Sequence, residues 1–545
     1  MNNTSSYTRH NLELRAAEYY ASIRKLENEW KSLEDLTPQL AEFEHYVRAG
    51  NCDAAAKLVN YIDTACLFRW GQYARLVDMR TRLQGQLANP ILQMFNHGRL
   101  ARAYHDQGKL EAAKALYRTA ATLALENDAQ RDRGVWLGYL GIAYFDQGQT
   151  DLAVQLYEQA LEIARNAKDR YHESQWLGYL GLAYRFMDQV EQTVALIGQA
   201  LAITEELGDD NQRVNWLNIL GYAYRIMNRH QRAMAVYQEA LQVNRALVNR
   251  RREIESLHGL GRIYVEQGQF RKAIDVYADA LQLARDIGHR SNESYILGSM
   301  GYAFFMLGGD TRAFELQHLA LTVAQEIAHV REEGGMAGLI GEIYMRQGNL
   351  TDARQWYERA LTLAREILDT RRIRRHWISL SRIALMQGIF EEAVEACHEA
   401  AQTPTQEFRH QLALVQGIVN LHQSKLSADG NFSVAIACCC EVLTQTVTLY
   451  EPQYVLATAL VGQAVCDPYW SDVTRRADLL IPALVEYSRA LDITSAPGVV
   501  RDALRDLELI RAAGIEGLEP VFALLEQALN DNTPSFEEGP DPITI

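Results

Sequence analysis

Long apolar runs are absent from this sequence. No stretch approaches the ~18 consecutive apolar residues that a membrane-spanning helix needs. The opening MNNTSSY lacks the basic and apolar regions of a secretory signal. Cysteine is also scarce, with 7 residues that lie mostly in apolar helical patterns, which suits a reducing compartment. We therefore expect a cytoplasmic protein that does not bind membranes.

Positive charge is in the minority. The chain carries 54 Lys and Arg against 69 Asp and Glu, a formal net charge of −15. Proteins that bind nucleic acids or anionic membranes need a dominant basic surface. The local basic clusters at 250–252 and 371–375 are interpreted as solvated charge. No nucleic-acid partner is expected.

Catalytic and cofactor motifs are missing as well. The sequence contains no phosphate-binding GxxxxGK[ST], no HExxH or CxxC zinc motif and no GxSxG nucleophile elbow. The glycine-rich stretch 334–338 lies in a helical pattern and follows no strand, so a dinucleotide site is not indicated. We predict a non-enzyme that uses no cofactor and no metal.

Three cysteines, Cys438, Cys439 and Cys440, are adjacent in an apolar segment. Neighbouring residues on a helix point in different directions, so the trio cannot form a tetrahedral metal site by itself. We interpret the three as small buried residues, with lipidation or redox sensing as the alternative.

What the sequence does contain is a forty-residue period. A small residue, an aromatic residue three positions later and an alanine nineteen positions later recur together. The small residues are Ala101, Gly141, Gly181, Gly221, Gly261, Gly301, Gly341 and Ser381. Such a period is typical of a solenoid, in which each unit buries its apolar face against its neighbours. The predicted fold class is all-α, an α-solenoid of antiparallel helix pairs with degenerate helical repeats at both ends.

A turn residue seven positions after the small residue divides each unit into two helices. Most repeats carry glycine there, as at Gly148. The exceptions, Asp188 and Asn228, are the next most tolerant residue types for a left-handed backbone. Within a unit, we expect Gly141 to lie where the two helices cross closely, with Tyr157 filling the adjoining space.

Leu, Gly and Tyr in the first helix, followed by Ala, an aromatic residue and Ala in the second, resemble the tetratricopeptide repeat. The match covers about eight units in residues 94–408. Units longer than the usual ~34 residues are found in animal spindle-orientation adaptors, where Asn beside the Leu-Gly pair grips extended peptides. The corresponding residues here are Tyr139 and Ile142, so that peptide-binding mode is not carried over.

The layout also resembles the helical-repeat halves of bacterial STAND-type signalling ATPases. In those proteins a run like that at 40–44 and a Trp-Gly-Gln-Tyr element, here at 70–73, precede forty-residue repeats. Because no phosphate-binding loop is present, this resemblance implies a sensor or scaffold without its motor.

The register predicts five segments. They are an N-terminal capping helix in 1–35, degenerate helical repeats in 36–93, tetratricopeptide repeats in 94–408, further degenerate repeats in 409–530 and a disordered acidic tail in 531–545.

First helices line the concave face of tetratricopeptide arrays, so the resemblance places partner binding there. Candidate partner-binding residues in the central units are Arg185, Phe186, Asn215, Asn218, Tyr222, Arg225, Arg262, Tyr302 and Phe305. Arginine beside exposed aromatic rings is the composition of interface hot spots. We therefore expect an acidic or mixed acidic–apolar protein segment as the ligand. The alternative for Phe186, Ile226 and Met306 is packing between repeats.

The predicted function is a non-enzymatic scaffold or sensor that holds a segment of another protein. The alternative is a regulatory or inhibitory subunit of a separately encoded effector, either a protease or a signalling ATPase. A DNA-binding pheromone regulator is disfavoured because residues 1–35 offer no basic recognition helix. A chaperone-docking adaptor is disfavoured because it needs Lys and Asn where the first helices here carry Arg. The sequence does not indicate the partner's identity or the oligomeric state.

Overall fold

The computed structural model describes residues 8–68, 70, 72–187, 189–327, 329–405, 407–446 and 448–532. Within these residues every regular element is helical and no strand occurs. The all-α prediction is therefore confirmed. No helix in the described part of the chain is long and apolar enough to cross a membrane. The chain divides into two compact units, residues 1–219 and 220–545.

Unit 1 begins with short helices and continues as regular pairs. Its helices are α1 (Arg9–Ser22), α2 (Thr37–Arg48), α3 (Cys52–Ile62), α4 (Tyr73–Leu83), α5 (Pro90–Asp106), α6 (Leu110–Glu126), α7 (Gln130–Asp146), α8 (Thr150–Asn166), α9 (Arg170–Phe186) and α10 (Val190–Leu207). Single 3-10 turns occupy Glu27–Glu29 and Leu33–Leu36, and a π-helical turn occupies Asp63–Leu67. The boundary between the units falls inside α11 (Asp210–Ile226).

Unit 2 continues the same pairing and adds longer helices. The regular pairs are α12 (His230–Ala246), α13 (Arg250–Glu266), α14 (Phe270–Asp286), α15 (Arg290–Met306), α16 (Asp310–Glu326), α17 (Val330–Arg346), α18 (Leu350–Glu366), α19 (Thr370–Met386) and α20 (Phe390–Gln402). The C-terminal helices are α21 (Arg409–Leu421), α22 (Lys425–Gln445), α23 (Tyr450–Cys466), α24 (Val473–Ile493), α25 (Pro497–Ala512) and α26 (Glu519–Asp531).

The repeated glycine of the first helix permits close packing within a pair. A Cβ added at Gly141 would lie 2.7 Å from the Tyr157 ring, and one at Gly221 would lie 2.8 Å from the Tyr237 ring. Both tyrosines are almost completely buried. The expected crossing of Gly141 with Tyr157 is confirmed, since no larger side chain fits there without moving the helices apart.

The predicted turn residues have the expected backbone. Gly148 has φ +81°, and Asn228, which replaces glycine in its repeat, has φ +54°. Both values lie in the left-handed region that glycine and asparagine tolerate best. Asp188, the other exception, lies outside the described residues.

In several repeats a glycine three positions before the repeated small residue packs against the next repeat. A Cβ at Gly98 would lie 2.6 Å from the Trp136 indole, and Gly178 meets Trp216 of the following repeat in the same way. The sequence carries this signal at Gly98, Gly138 and Gly178, each of which is followed thirty-eight residues later by a tryptophan. Sequence reasoning missed this glycine.

The segments before and after the regular repeats are also helical in the described residues. Helix α1 packs against α2, where His45 Nδ1 lies 2.6 Å from the Glu13 carboxylate. Of the cysteine trio, Cys439 is buried but Cys440 is exposed, so the expectation that all three are buried is wrong. Residues 533–545 of the predicted tail lie outside the described residues, and Asp531 is the last residue of α26.

Candidate functional site

The first helices of successive repeats lie side by side through a contact that recurs at a fixed spacing. The residue four positions after one small residue contacts the residue five positions after the next. The pairs are His105 with Asp146 and Phe145 with Phe186 in unit 1, and Arg225 with Glu266 and Phe305 with Arg346 in unit 2. Within each unit we call the positions one, four and five residues after each small residue the first-helix face.

In unit 1 the first-helix face presents an aromatic residue beneath an arginine. Phe186 is 55% exposed, and its ring meets that of Phe145 edge to face at 5.0 Å. The Arg185 guanidinium lies over the Phe186 ring, 4.7 Å from its centroid. Two repeats earlier, the Arg102 guanidinium lies 3.7 Å from the centroid of the Phe68 ring. Both arginines belong to first helices of unit 1, α9 and α5.

Asn215 and Asn218 lie in the part of α11 that belongs to unit 1, and both are partly buried. Between them Trp216 is buried, and its indole N–H donates to Ser174 Oγ at 3.3 Å. This hydrogen bond and the burial of the indole hold this part of α11 against α9.

In unit 2, Arg225 is engaged within the protein. It is buried, pairs with Glu266 and lies over the Tyr222 ring at 5.0 Å. His230 Nε2 is 3.2 Å from the same carboxylate. Burial opposes ionisation of Glu266, but Arg225, His230 and Arg262 outweigh burial and lower the pKa of that carboxyl to about 2. Arg225 therefore neutralises an ionised carboxylate that is partly buried.

Arg262 and Tyr302 also face other parts of unit 2. Arg262 Nη1 lies 3.4 Å from the Tyr295 hydroxyl, and the Tyr302 hydroxyl lies 3.4 Å from that of Tyr450. Burial raises the pKa of Tyr302 to about 12, so its hydroxyl stays neutral. The contact between Tyr302 and Tyr450 joins a repeat helix to α23.

Phe305 is completely buried, and the expectation that it is exposed is wrong. The Arg346 guanidinium lies 3.2 Å from the centroid of its ring, and Arg346 Nη1 donates to the Phe305 carbonyl at 2.7 Å. Gly498 of α25 packs so closely that a Cβ there would lie 2.7 Å from the Met306 carbonyl. Met306 is also buried.

The C-terminal helices of unit 2 therefore cover part of its first-helix face. Three residues of this C-terminal region contact the turns of three successive repeats. Thr446 donates to the Asn228 carbonyl, Thr494 Oγ1 lies 3.3 Å from the Gly268 carbonyl, and Pro497 lies against Gly308. Phe305 and Tyr302, predicted to contact a partner, are contacted here by the chain itself.

Three charged pairs join α25 to the first-helix face, and none of their residues was among the predicted candidates. Arg346 reaches Asp502 at 3.5 Å, Arg505 reaches Glu342 at 2.8 Å and Arg382 reaches Asp506 at 3.0 Å.

The members of these pairs that belong to the repeats could have been predicted from the sequence. Glu342 and Arg346 stand one and five positions after Gly341, and Arg382 stands one after Ser381. The positional rule used for the central units would have found all three in the next two repeats. Their partners in α25 lie outside the repeat register, so the period carries no signal for them.

The described part of the chain holds no group of three or more His, Cys, Asp or Glu that could bind a metal ion.

A family model described as tetratricopeptide repeat matches residues 91–166, 173–246, 235–286 and 333–400. The sequence period had placed these repeats in 94–408. No curated protein matches the sequence.

Several solved structures share the fold at low sequence identity. The apo form of the quorum sensor NprR from B. thuringiensis is 14% identical, with a TM-score of 0.50 over 68% of this chain and 99% of that one. Aspartyl phosphate phosphatase F from Bacillus subtilis is 14% identical, with a TM-score of 0.46 over 69% of this chain and 96% of that one. A STAND protein with a tetratricopeptide repeat sensor from Pyrococcus horikoshii is 15% identical, with a TM-score of 0.48 over 68% of this chain and 55% of that one. At these identities the likeness concerns the fold alone.

Proposed function

Because this chain contains tetratricopeptide repeats, we propose that it is a non-enzymatic scaffold or sensor whose first-helix face in unit 1 holds a segment of a partner protein. The observation that carries the proposal is the pair formed by Arg185 and Phe186. Phe186 leaves 55% of its surface exposed on this face, and an arginine lies on its ring. The corresponding face of unit 2 carries the chain's own helices, so unit 1 is the better candidate.

The chemistry of this pair favours a partner segment that combines an apolar residue with a carboxylate. When an apolar side chain of a partner covers a partly exposed aromatic ring, the burial of apolar surface stabilises the complex. A guanidinium has several N–H donors, so one that lies on such a ring can donate to a carboxylate while it keeps other contacts. We therefore expect an acidic–apolar segment as the ligand.

We do not expect Arg225 to contact this partner, because it already pairs with Glu266. Removing it would leave Glu266 ionised, partly buried and without its main partner, which typically costs several kcal/mol of stability. An Arg225→Ala variant would therefore confuse loss of folding with loss of binding. The binding test is restricted to unit 1 for this reason.

The test compares Arg185→Ala/Phe186→Ala with Leu125→Ala/Leu152→Ala. The control removes apolar side chains that are 50% and 45% exposed on the second helices α6 and α8 of the same unit. A partner recovered from the native cell by affinity purification and identified by mass spectrometry is purified and titrated by calorimetry.

We expect the Arg185/Phe186 variant to bind roughly 30-fold more weakly, a loss of about 2 kcal/mol, and the control to bind as the unmodified chain does. Equal affinity of the two double variants would contradict the proposed site. If the partner is a protease or signalling ATPase whose activity changes on binding, the chain is a regulatory subunit of that effector.

A further inference from the structure

Helix α25 lies on the first-helix face of unit 2, in the place that a ligand of that face would take. Its N-terminus packs on the end of α15, and Arg346 Nη2 of α17 donates to the Gly498 carbonyl at 3.3 Å. Further along, Asp506 accepts two hydrogen bonds from Arg382 of α19, both of 3.0 Å. One helix thus contacts the first helices of three successive repeats.

The charges on α25 match those of the repeats at one-turn spacing. Asp502 and Asp506 are four residues apart, so they lie on one stripe of the helix. They meet Arg346 and Arg382, which belong to the first helices of adjacent repeats. The repeats therefore bind two carboxylates that are separated by one helical turn.

The pair between Arg382 and Asp506 has the geometry of specific recognition. Both side chains are almost completely buried, and Nε and Nη2 of the arginine each donate to a separate carboxylate oxygen. Such a bidentate pair discriminates strongly, because loss of one partner leaves the other buried and charged. A third pair has its charges the other way round: Arg505 of α25 is the cation and donates to Glu342 of α17 at 2.8 Å.

Displacement of α25 would not break a repeat, but it would separate α25 from the neighbouring C-terminal helices, as at α21, where His422 Nε2 lies 3.2 Å from the Leu509 carbonyl. Residues 494–496 before it are non-helical, and α26 is the one described helix that follows it. Arg511 of α25 lies over the Phe522 ring of α26 at 4.5 Å, so the two helices keep contacts of their own.

We propose that α25 is a built-in ligand: the first-helix face of unit 2 binds an amphipathic helix with two carboxylates one turn apart, and α25 occupies that face until a partner helix with the same spacing replaces it. This inference rests on the proposed scaffold function but concerns a different surface and a different unit. A tethered helix competes at a high effective concentration, so it blocks weak ligands and yields to strong ones.

The test adds a fluorescent synthetic peptide of residues 495–514 to the full chain and follows its anisotropy. The chain variant Asp502→Asn/Asp506→Asn weakens the tethered copy, and Glu508→Gln is the matched control on the same helix because Glu508 is 60% exposed. We expect the peptide to bind the double variant at least about tenfold more tightly than it binds the unmodified chain or the control. Adding Arg346→Gln/Arg382→Gln to that variant should abolish this gain.

Absence of saturable peptide binding by a folded Asp502→Asn/Asp506→Asn chain would overturn the proposal. If that variant fails to fold, hydrogen exchange of the unmodified chain decides. A built-in ligand predicts that the amides of α25 exchange at least about tenfold faster than the core amides of α17 and α19, because α25 can open alone. Equal rates would mean that α25 opens only when the repeats unfold, and would refute it. Neither result bears on the Arg185/Phe186 test, which uses another probe and unit 1.

Discussion

The same substitution, Gly→Ala, should have different effects on stability at two helical positions of unit 1. Gly198 lies inside α10 and is exposed, and an added Cβ there has no heavy atom within 4 Å. Gly98 lies inside α5, where an added Cβ would lie 2.6–2.7 Å from three atoms of the Trp136 ring. Local helix propensity treats the two glycines alike, so the difference between the variants isolates packing between repeats.

The magnitudes follow from two opposing effects. Alanine in a helix interior is favoured over glycine by about 1 kcal/mol, so Gly198→Ala should stabilise unit 1 by roughly that amount. At Gly98 the indole would have to retreat by roughly 0.9 Å to reach ordinary contact distance. Trp136 is buried and also packs on Phe95, with ring centroids 6.0 Å apart. Overpacking of this kind costs about 1–3 kcal/mol, which should cancel or exceed the gain in propensity.

Urea unfolding followed by circular dichroism and tryptophan fluorescence measures the two variants against the unmodified chain. A repeat protein need not unfold in one step, so hydrogen exchange of α5 and α10 locates each change. We expect Gly98→Ala to be less stable than Gly198→Ala by about 1–3 kcal/mol. Adding Trp136→Leu should remove most of that difference, because the ring that overlaps the new methyl group is gone. Equal stability of the two single variants would refute the close approach of α5 and Trp136.

Two further predictions concern backbone strain and pH. Val248 has φ +54° and is 73% exposed. Val248→Gly should therefore stabilise unit 2 by about 1 kcal/mol and raise the thermal midpoint. The control Val473→Gly, at a similarly exposed position within a helix, should not raise the thermal midpoint. Burial, followed by Arg375 and Arg372, lowers the pKa of His376 to about 3, below its ordinary 6.5. Because the unfolded chain binds this proton first, stability should fall as pH drops from 6.5 towards 3, by about 2 kcal/mol at pH 5 from this residue. His376→Gln should reduce the loss between pH 7 and pH 5 in urea titrations, and an unchanged loss would show that His376 is not held neutral.

The pairing of helices and the turns between them could be predicted because each depends on residues close together in the chain. The crossing of Gly141 with Tyr157 spans sixteen residues, and the turn at Asn228 needs only a residue that tolerates positive φ. These local requirements recur in every unit, so they leave a period in the sequence. The contact of Gly98 with Trp136 left the same kind of trace and could have been found in the same way.

The candidate site could be predicted only in part. Sequence reasoning identified Arg185 and Phe186 as first-helix positions, and the structure leaves Phe186 largely exposed. It also named Phe305, which the structure buries beneath Arg346 and Gly498. The repeat register describes both phenylalanines in nearly the same way, so it does not distinguish the exposed one from the buried one.

The helical repeat, its register and the positions of the first helices can be read from the amino-acid sequence, because contacts between neighbouring repeats reuse the same spacing. Which of those positions are covered depends on contacts between segments that lie far apart in the chain. Asp506 meets Arg382 across 124 residues, and Gly498 packs on Met306 across a still longer separation. Such contacts depend on the shape and charge of two surfaces that each occur once in the chain, and a single pairing of this kind leaves no periodic pattern to read.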